Sequence, residues 1–140
     1  MHKVEFNITD EIMVIADPKL VKEVFINLMT NAIQAVRRKK VKTGQKTSLA
    51  INAVVTEDKE AVQITFKDNG VGMTRVQKDD AIRGFKPSGR QFREVQHKGV
   101  GVLISLFLLR VQDGSLDYVS KRGKGTEAIV MLPYFRRERR

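Results

Sequence analysis

The chain has no cysteine and no tryptophan, two histidines, two tyrosines and three prolines in 140 residues. Without cysteine there is no disulfide framework and no thiolate metal site, a usage that suits the cytosol. His2 and His97 are too few and too far apart to suggest a zinc centre. No run approaches the ~18–20 apolar residues of a membrane span, and the opening residues lack a signal-peptide pattern. Acidic residues are also scarce, 16 against 26 basic ones, so the net charge is +10. The excess gathers in Arg37 to Lys46, in the stretch after Met73 and in Arg136 to Arg140. Such a balance suits polyanionic partners, whether nucleotide, nucleic acid or an acidic protein face, and equally serves solubility. Nucleic acid is disfavoured, because no basic-aromatic platform accompanies the charge. Repeats, low-complexity segments and Pro/Gly/Ser linkers are missing too. That leaves residues 1–140 as one domain, long enough to bury a core without staples.

What the chain does have is an unusual helix. In Asp17 to Val36, Asp17 suits an N-cap and Pro18 the first helical position. Val21, Val24, Phe25, Leu28, Met29, Ala32, Ala35 and Val36 recur at helical spacing and predict a broad apolar face. Glu23, Asn27, Thr30, Asn31 and Gln34 line up in a stripe on the other side. An exposed helix would normally carry Lys, Glu and Arg there, since Asn and Thr are poorer helix formers. Carboxylate and amide oxygens one turn apart suit a hard cation such as Mg²⁺. The same stripe also fits an ordinary amphipathic helix with an amide-rich solvent face.

Around this helix the pattern predicts short strands. Val4, Phe6 and Ile8 alternate, and Ile12 to Ala16 is a short apolar run; both read as strands joined by a turn at Thr9 to Glu11. Gly44 marks a loop tip after the helix. Leu49 to Val55 and Val62 to Phe66 alternate about a charged turn at Glu57 to Glu60 and should pair antiparallel. Asp68 to Lys98 has weak periodicity and is too long for an ordinary connection. Gly99 to Val111 is a second, strongly apolar helix ended by Asp113-Gly114. Leu116 to Ser120, the R-G-K-G turn and Ala128 to Leu132 complete the sheet. The expected fold is α+β, a two-layer α/β sandwich with a mixed, mostly antiparallel sheet and helices on one face.

Three further stretches carry chemistry. Asp68 shares a strand face with Ile64 and Phe66, so its carboxylate follows two core residues inward at the strand's end. A buried unpaired carboxylate is costly and needs a donor, such as the exocyclic amine of a purine. Gly70 and Gly72 in D-N-G-V-G-M let a flat ligand approach the backbone, although D-N-G is also a common turn. Gly99, Val100 and Gly101 open the apolar helix, where exposed amides and the helix dipole favour phosphate. A crowding-relieving helix start reads the same way. Thr126, before the last strand, has a hydroxyl that would supplement Asp68.

In this order and spacing the stretches resemble the ATP-binding catalytic domain of sensor histidine kinases, from the superfamily that includes gyrase, MutL and a heat-shock chaperone. N-L-M-T-N-A-I-Q-A resembles its N box, D-N-G-V-G-M its first glycine box, H-K-G-V-G-V-L-I its second, and G-T-E-A-I-V-M-L-P its closing strand. The likeness runs from about residue 4 to 133, leaving a basic tail at 134–140. It implies the superfamily's Bergerat-type ATP-binding sandwich. It implies that Asn31 binds Mg²⁺, that Asn27 lies beside the phosphates and that Glu23 assists transfer. Asp68 would accept from the adenine amine, with Gly70, Gly72 and Met73 at the base and Thr126 supporting it. Gly99, Val100 and Gly101 would flank the phosphates. Residues 74–98 would form the ATP lid, where Phe85-Lys86-Pro87 resembles an F-x-P element and Lys86 or Arg90 reaches a phosphate. Two features depart from the family pattern: His97 stands where a glycine is usual, and Ser88-Gly89-Arg90 replaces an aromatic-Thr-Thr-Lys. No phosphoacceptor helix is present.

The function so implied is transfer of the ATP γ-phosphate to a histidine on a separate phosphoacceptor and dimerisation domain, with a response regulator downstream. Such a domain would be cytoplasmic, alone or as the cytoplasmic part of a membrane-bound sensor. The alternatives are a protein-serine kinase of the anti-sigma type, a catalytically inert nucleotide-binding module, and a nucleic-acid-associated ATPase.

Overall fold

The structure, a computed structural model, describes residues 2–8, 11–39, 45–83 and 100–136. Along the chain lie β1 (His2–Ile8), α1 (Pro18–Arg38), β2 (Thr47–Val55), β3 (Ala61–Asp68), α2 (Arg75–Arg83), α3 (Val100–Arg110), β4 (Ser115–Lys121) and β5 (Gly125–Pro133). The strands form one sheet in the order β1-β2-β3-β5-β4. Only β1 and β2 run parallel; β2 with β3, β3 with β5 and β4 with β5 are antiparallel.

Alternation decides which face is covered. Leu49 and Ile51 of β2, Val62, Ile64 and Phe66 of β3, Leu116 and Tyr118 of β4, and Ala128, Val130 and Leu132 of β5 are buried. They join Val24, Leu28 and Ala32 of α1 and Val102 and Leu109 of α3 in one core. Phe25 meets Phe66 edge to face, ring centroids 5.3 Å apart, which locks α1 over the middle of the sheet. The expected two-layer α+β sandwich is what forms.

Helix α1 starts as its sequence predicts. Asp17 accepts from the amides of Lys19 and Leu20 at 2.9 and 3.5 Å, and Pro18 follows it. The Asp17 amide in turn donates to Gln112 Oε1 at 2.6 Å, while Gln112 Nε2 donates to the Leu108 carbonyl. One side chain thus ties the start of α1 to the end of α3.

Two readings need correction. Ile12 to Ala16 is not a strand of the sheet. Only Val14 bridges, to Tyr134 beyond β5, with Ile15 N–H bonded to the Pro133 carbonyl and Phe135 N–H to the Met13 carbonyl. The sheet's parallel partner for β2 is β1 itself, and the helix start at Asp17 leaves the intervening run no length for a ladder. The second correction concerns the stretch after Asp68, which contains a helix, α2. Its start carries a capping box: Thr74 N–H donates to Gln77 Oε1 at 2.9 Å, and Gln77 N–H donates to Thr74 Oγ1 at 3.2 Å. The T-R-V-Q spelling announces this, but the many charges of 75–83 hide the helical period. Gly44, the turn at Thr9 and Asp10, residues 84–98 of the expected lid, and Gly99 lie outside the described residues. The basic tail is anchored where it begins: Arg136 donates to the carbonyls of Asp58 and Lys59.

If the capping box holds the first turn of the lid segment, Thr74→Ala costs α2 about 1 kcal/mol. Amide exchange at Lys78 to Ala81 should accelerate several-fold while β3 keeps its protection; equal acceleration in both would place the damage in the core.

Candidate functional site

The site is built where the C-terminal end of β3 runs under the helix layer. Asp68 is 7% exposed, on the same face as Ile64 and Phe66, as its strand register requires. Its Oδ1 accepts from the Gly70 amide at 2.8 Å. Across the sheet it is in register with Thr126 of β5, and Thr126 with Ser120 of β4. Registered neighbours in antiparallel strands lie ~5 Å apart on one face, so Asp68, Thr126 and Ser120 form a polar row among apolar ones.

The loop 69–74 that leaves this row is pinned along its length. Asn69 Oδ1 accepts from Ser48 N–H at 2.8 Å, its Nδ2 donates to the Lys46 carbonyl, and its own carbonyl accepts from Lys39 Nζ at 2.7 Å. Val71 N–H donates to the Ala35 carbonyl of α1, and Gly123 N–H to the Val71 carbonyl. Met73 N–H donates to Ser120 Oγ at 2.8 Å, and its side chain packs on the core. Glycine is required at two points. A Cβ at Gly70 would lie 2.5 Å from the Ala35 carbonyl carbon, and one at Gly72, where φ is +69°, would lie 2.1 Å from the Lys121 carbonyl oxygen. Both glycines therefore fit the loop tightly between α1 and the β4–β5 turn.

Of the polar stripe of α1, Asn27 faces α3. Asn27 Nδ2 donates over 3.4 Å to the Gly101 carbonyl and to Ser105 Oγ, and Ser105 is fully buried in the seam between the helices. A Cβ at Gly101 would stand at ordinary contact distance, 3.6–3.7 Å, from the Asn27 side chain. Asn27 and Gly101 are thus brought together, and Val100 opens α3 beside them. Asn31 is half-buried one turn further along α1, while Glu23, one turn before Asn27, is exposed. Lys86 and Gly99 lie outside the described residues. No group of three or more His, Cys, Asp or Glu side chains able to hold a metal occurs among the described residues. A hard cation here would rest on an amide oxygen and on its ligand's own oxygens, which is how Mg²⁺ is commonly held with phosphates.

The arrangement offers a polar row with a buried carboxylate at one end and a helix start beside the Asn27 amide at the other. The family model for histidine kinase-, DNA gyrase B- and HSP90-like ATPases matches residues 16–136. The chain belongs to that family. Sporulation kinase C of Bacillus subtilis (strain 168) is 33% identical over 130 residues, which are 91% of this chain and 27% of that protein. Sensor protein DegM of Bacillus sp. (strain B21-2) is 28% identical over 115 residues, 81% of this chain and 26% of that one. The ATPase-family domain thus spans about a quarter of the length of these relatives. Among solved structures, the nucleotide-free catalytic domain of histidine kinase ThkA superposes with a TM-score of 0.71 at 21% identity, over 94% of this chain and 80% of that one. Full-length ShkA in complex with AMPPNP gives 0.73 at 15% identity, over 95% and 26%. The fold is that of histidine kinase catalytic domains. No described helix is long and apolar enough to cross a membrane.

Three participants went unmarked in the sequence: Ser120, Ser105 and Lys39. Ser120 had a signal. It follows Leu116 and Tyr118 at strand period, just as Asp68 follows Ile64 and Phe66.

Burial raises the Asp68 pKa above its ordinary value, against the opposing amides of Gly70 and Thr126 and the charge of Lys39. The folded carboxyl therefore binds a proton at pH values where the unfolded chain has released it. Stability falls as pH rises through that interval and stays lower above it. Asp68→Asn should thus make the ligand-free domain more resistant to urea at pH 7, with the gain shrinking as pH nears the unfolded value of ~3.9. A less stable Asp68→Asn domain at pH 7 would show that the charge is compensated rather than costly.

Proposed function

We propose that the domain binds ATP with its adenine amino group against Asp68 and Thr126 and its phosphates at the seam of Asn27 and Gly101, and passes the γ-phosphate to a histidine on a separate phosphoacceptor domain. The observation that carries this is the buried carboxylate of Asp68 in register with Thr126, at the end of a strand, beside a loop that two glycines seat against α1. A carboxylate so placed is costly in the empty protein and becomes useful when a donor covers it. Asn27, oriented by Gly101 and Ser105, stands beside the phosphates. Asn31 offers its amide oxygen to Mg²⁺, which would neutralise phosphate charge. Gly70, Gly72 and Met73 border the base and Val100 and Gly101 the phosphates; Gly99 and Lys86, outside the described residues, are assigned to the phosphates from their sequence motifs alone.

Phosphoryl transfer asks the protein mainly for positioning and charge neutralisation. The bond from the γ-phosphorus to its bridging oxygen breaks as a bond to the histidine nitrogen forms. Glu23 is exposed on the same stripe as Asn27, where it can orient the ring or take its proton. Ile104 and Phe107 on the outer side of α3, and Val111 just past its end, are 45%, 65% and 57% exposed. An apolar stripe that runs from one turn past Gly101 to the far end of the helix supports a protein acceptor rather than water. A response regulator would then receive the phosphate from that acceptor.

Calorimetric titration with ATP and Mg²⁺ tests the reading. Asp68→Asn should weaken binding by roughly 1.5–3 kcal/mol, the worth of a charge-assisted hydrogen bond. Asn31→Ala should abolish the Mg²⁺ dependence while the fold persists. An unchanged dissociation constant in folded Asp68→Asn would remove adenine from this end of the site. Supplied with a histidine-bearing acceptor, the domain should yield an acid-labile label; an acid-stable one would favour a serine kinase.

A further inference from the structure

Three polar contacts meet at Ser120 Oγ. A hydroxyl has one proton to donate and two lone pairs. Ser120 Oγ donates to the Gly125 carbonyl at 3.1 Å. Met73 N–H donates into Ser120 Oγ at 2.8 Å, taking one lone pair. Thr126 Oγ1 stands 2.7 Å from the same oxygen. Either hydroxyl can donate across that 2.7 Å contact; giving the Ser120 proton to the Gly125 carbonyl, which can only accept, makes the proton between the hydroxyls that of Thr126. Thr126 is left with lone pairs only for whatever lies beside it. Its registered neighbour Asp68 is a carboxylate, which also offers only lone pairs.

We infer that Ser120 is a positioning residue that sets base specificity: by holding the Thr126 proton it makes the Asp68–Thr126 edge acceptor-only, an edge that accepts a purine with an exocyclic amino group and rejects one with an oxo group there. An amino group brings N–H donors to those lone pairs. An oxo group would bring a third acceptor, leaving buried lone pairs facing each other without a proton between them. Such unpaired contacts discriminate more strongly than shape alone. The inference rests on the ATP reading and deepens it, because Ser120 itself need not touch the nucleotide.

The test is titration of the purified domain with ATP and with inosine triphosphate, both with Mg²⁺, for wild type, Ser120→Ala and Ser120→Thr. Wild type should prefer ATP. Ser120→Ala releases the Thr126 hydroxyl to rotate and donate to an oxo group, so the ratio of the two dissociation constants should fall roughly five- to tenfold, about one neutral hydrogen bond. Ser120→Thr keeps the hydroxyl and should keep the wild-type ratio. Thr126→Val removes the acceptor itself and should also narrow the ratio, which provides a second variant should Ser120→Ala fold poorly. A merely structural Ser120 would weaken both nucleotides alike; a ratio that is unchanged in Ser120→Ala and Thr126→Val overturns the inference. Failure of wild type to bind ATP would overturn the functional reading and this inference together.

Discussion

Placing a carboxylate under a helix layer costs free energy, and much of the local structure follows from where Asp68 is placed. The strand register makes the burial unavoidable, since Ile64 and Phe66 must face the core and Asp68 shares their side. The Gly70 amide then has to turn back to Oδ1. That turn brings the loop against Ala35 of α1, where no Cβ would fit at Gly70. Val71 bonds to Ala35, Gly123 to Val71 and Met73 to Ser120, so α1, β4 and β5 are stitched to the same few residues. Compensation is incomplete: burial still outweighs the donors around Asp68, and the pKa stays raised. A donor arriving with a ligand would complete that compensation.

The two ends of the site are held differently. At the Asp68 end the contacts are bonds of 2.7–3.1 Å among β3, β4, β5 and their loop. At the Asn27 end the contacts to Gly101 and Ser105 are both 3.4 Å, and they cross between two helices rather than along a sheet. An end held within one sheet suits recognition of a flat base. A looser seam between α1 and α3 suits phosphates whose charge and metal change during a transfer.

Much of this was legible in the residues. The cap at Asp17, the apolar face of α1, the inward turn of Asp68 and the antiparallel β2–β3 pair all follow from spacing, because period and burial are coupled in regular elements. The whole domain was legible only through the order of four motifs, since D-x-G-x-G or a glycine-rich helix start is weak alone. What stayed hidden has a physical reason. Helix α2 is dominated by charges, so its apolar period is faint and only the Thr74–Gln77 box betrays it. Ile12 to Ala16 is apolar enough for a strand, but β2 had a better partner in β1, a competition that local pattern cannot express. Gly70 and Gly72 looked like room for a ligand; their immediate role is to let the loop meet Ala35 and Lys121, which requires knowing what lies across the fold.

The central claim is that the base lies against the Asp68–Thr126–Ser120 row and the phosphates against Asn27 and Gly101. Chemical-shift mapping of backbone amides with adenosine, and then with a non-hydrolysable ATP analogue and Mg²⁺, tests it most directly. The account predicts that adenosine perturbs Gly70, Met73 and Thr126 and leaves α3 unmoved, and that the triphosphate adds Asn27, Asn31 and Gly101. Adenosine shifts centred on α3, or triphosphate shifts that miss Gly70, Met73 and Thr126, would contradict it.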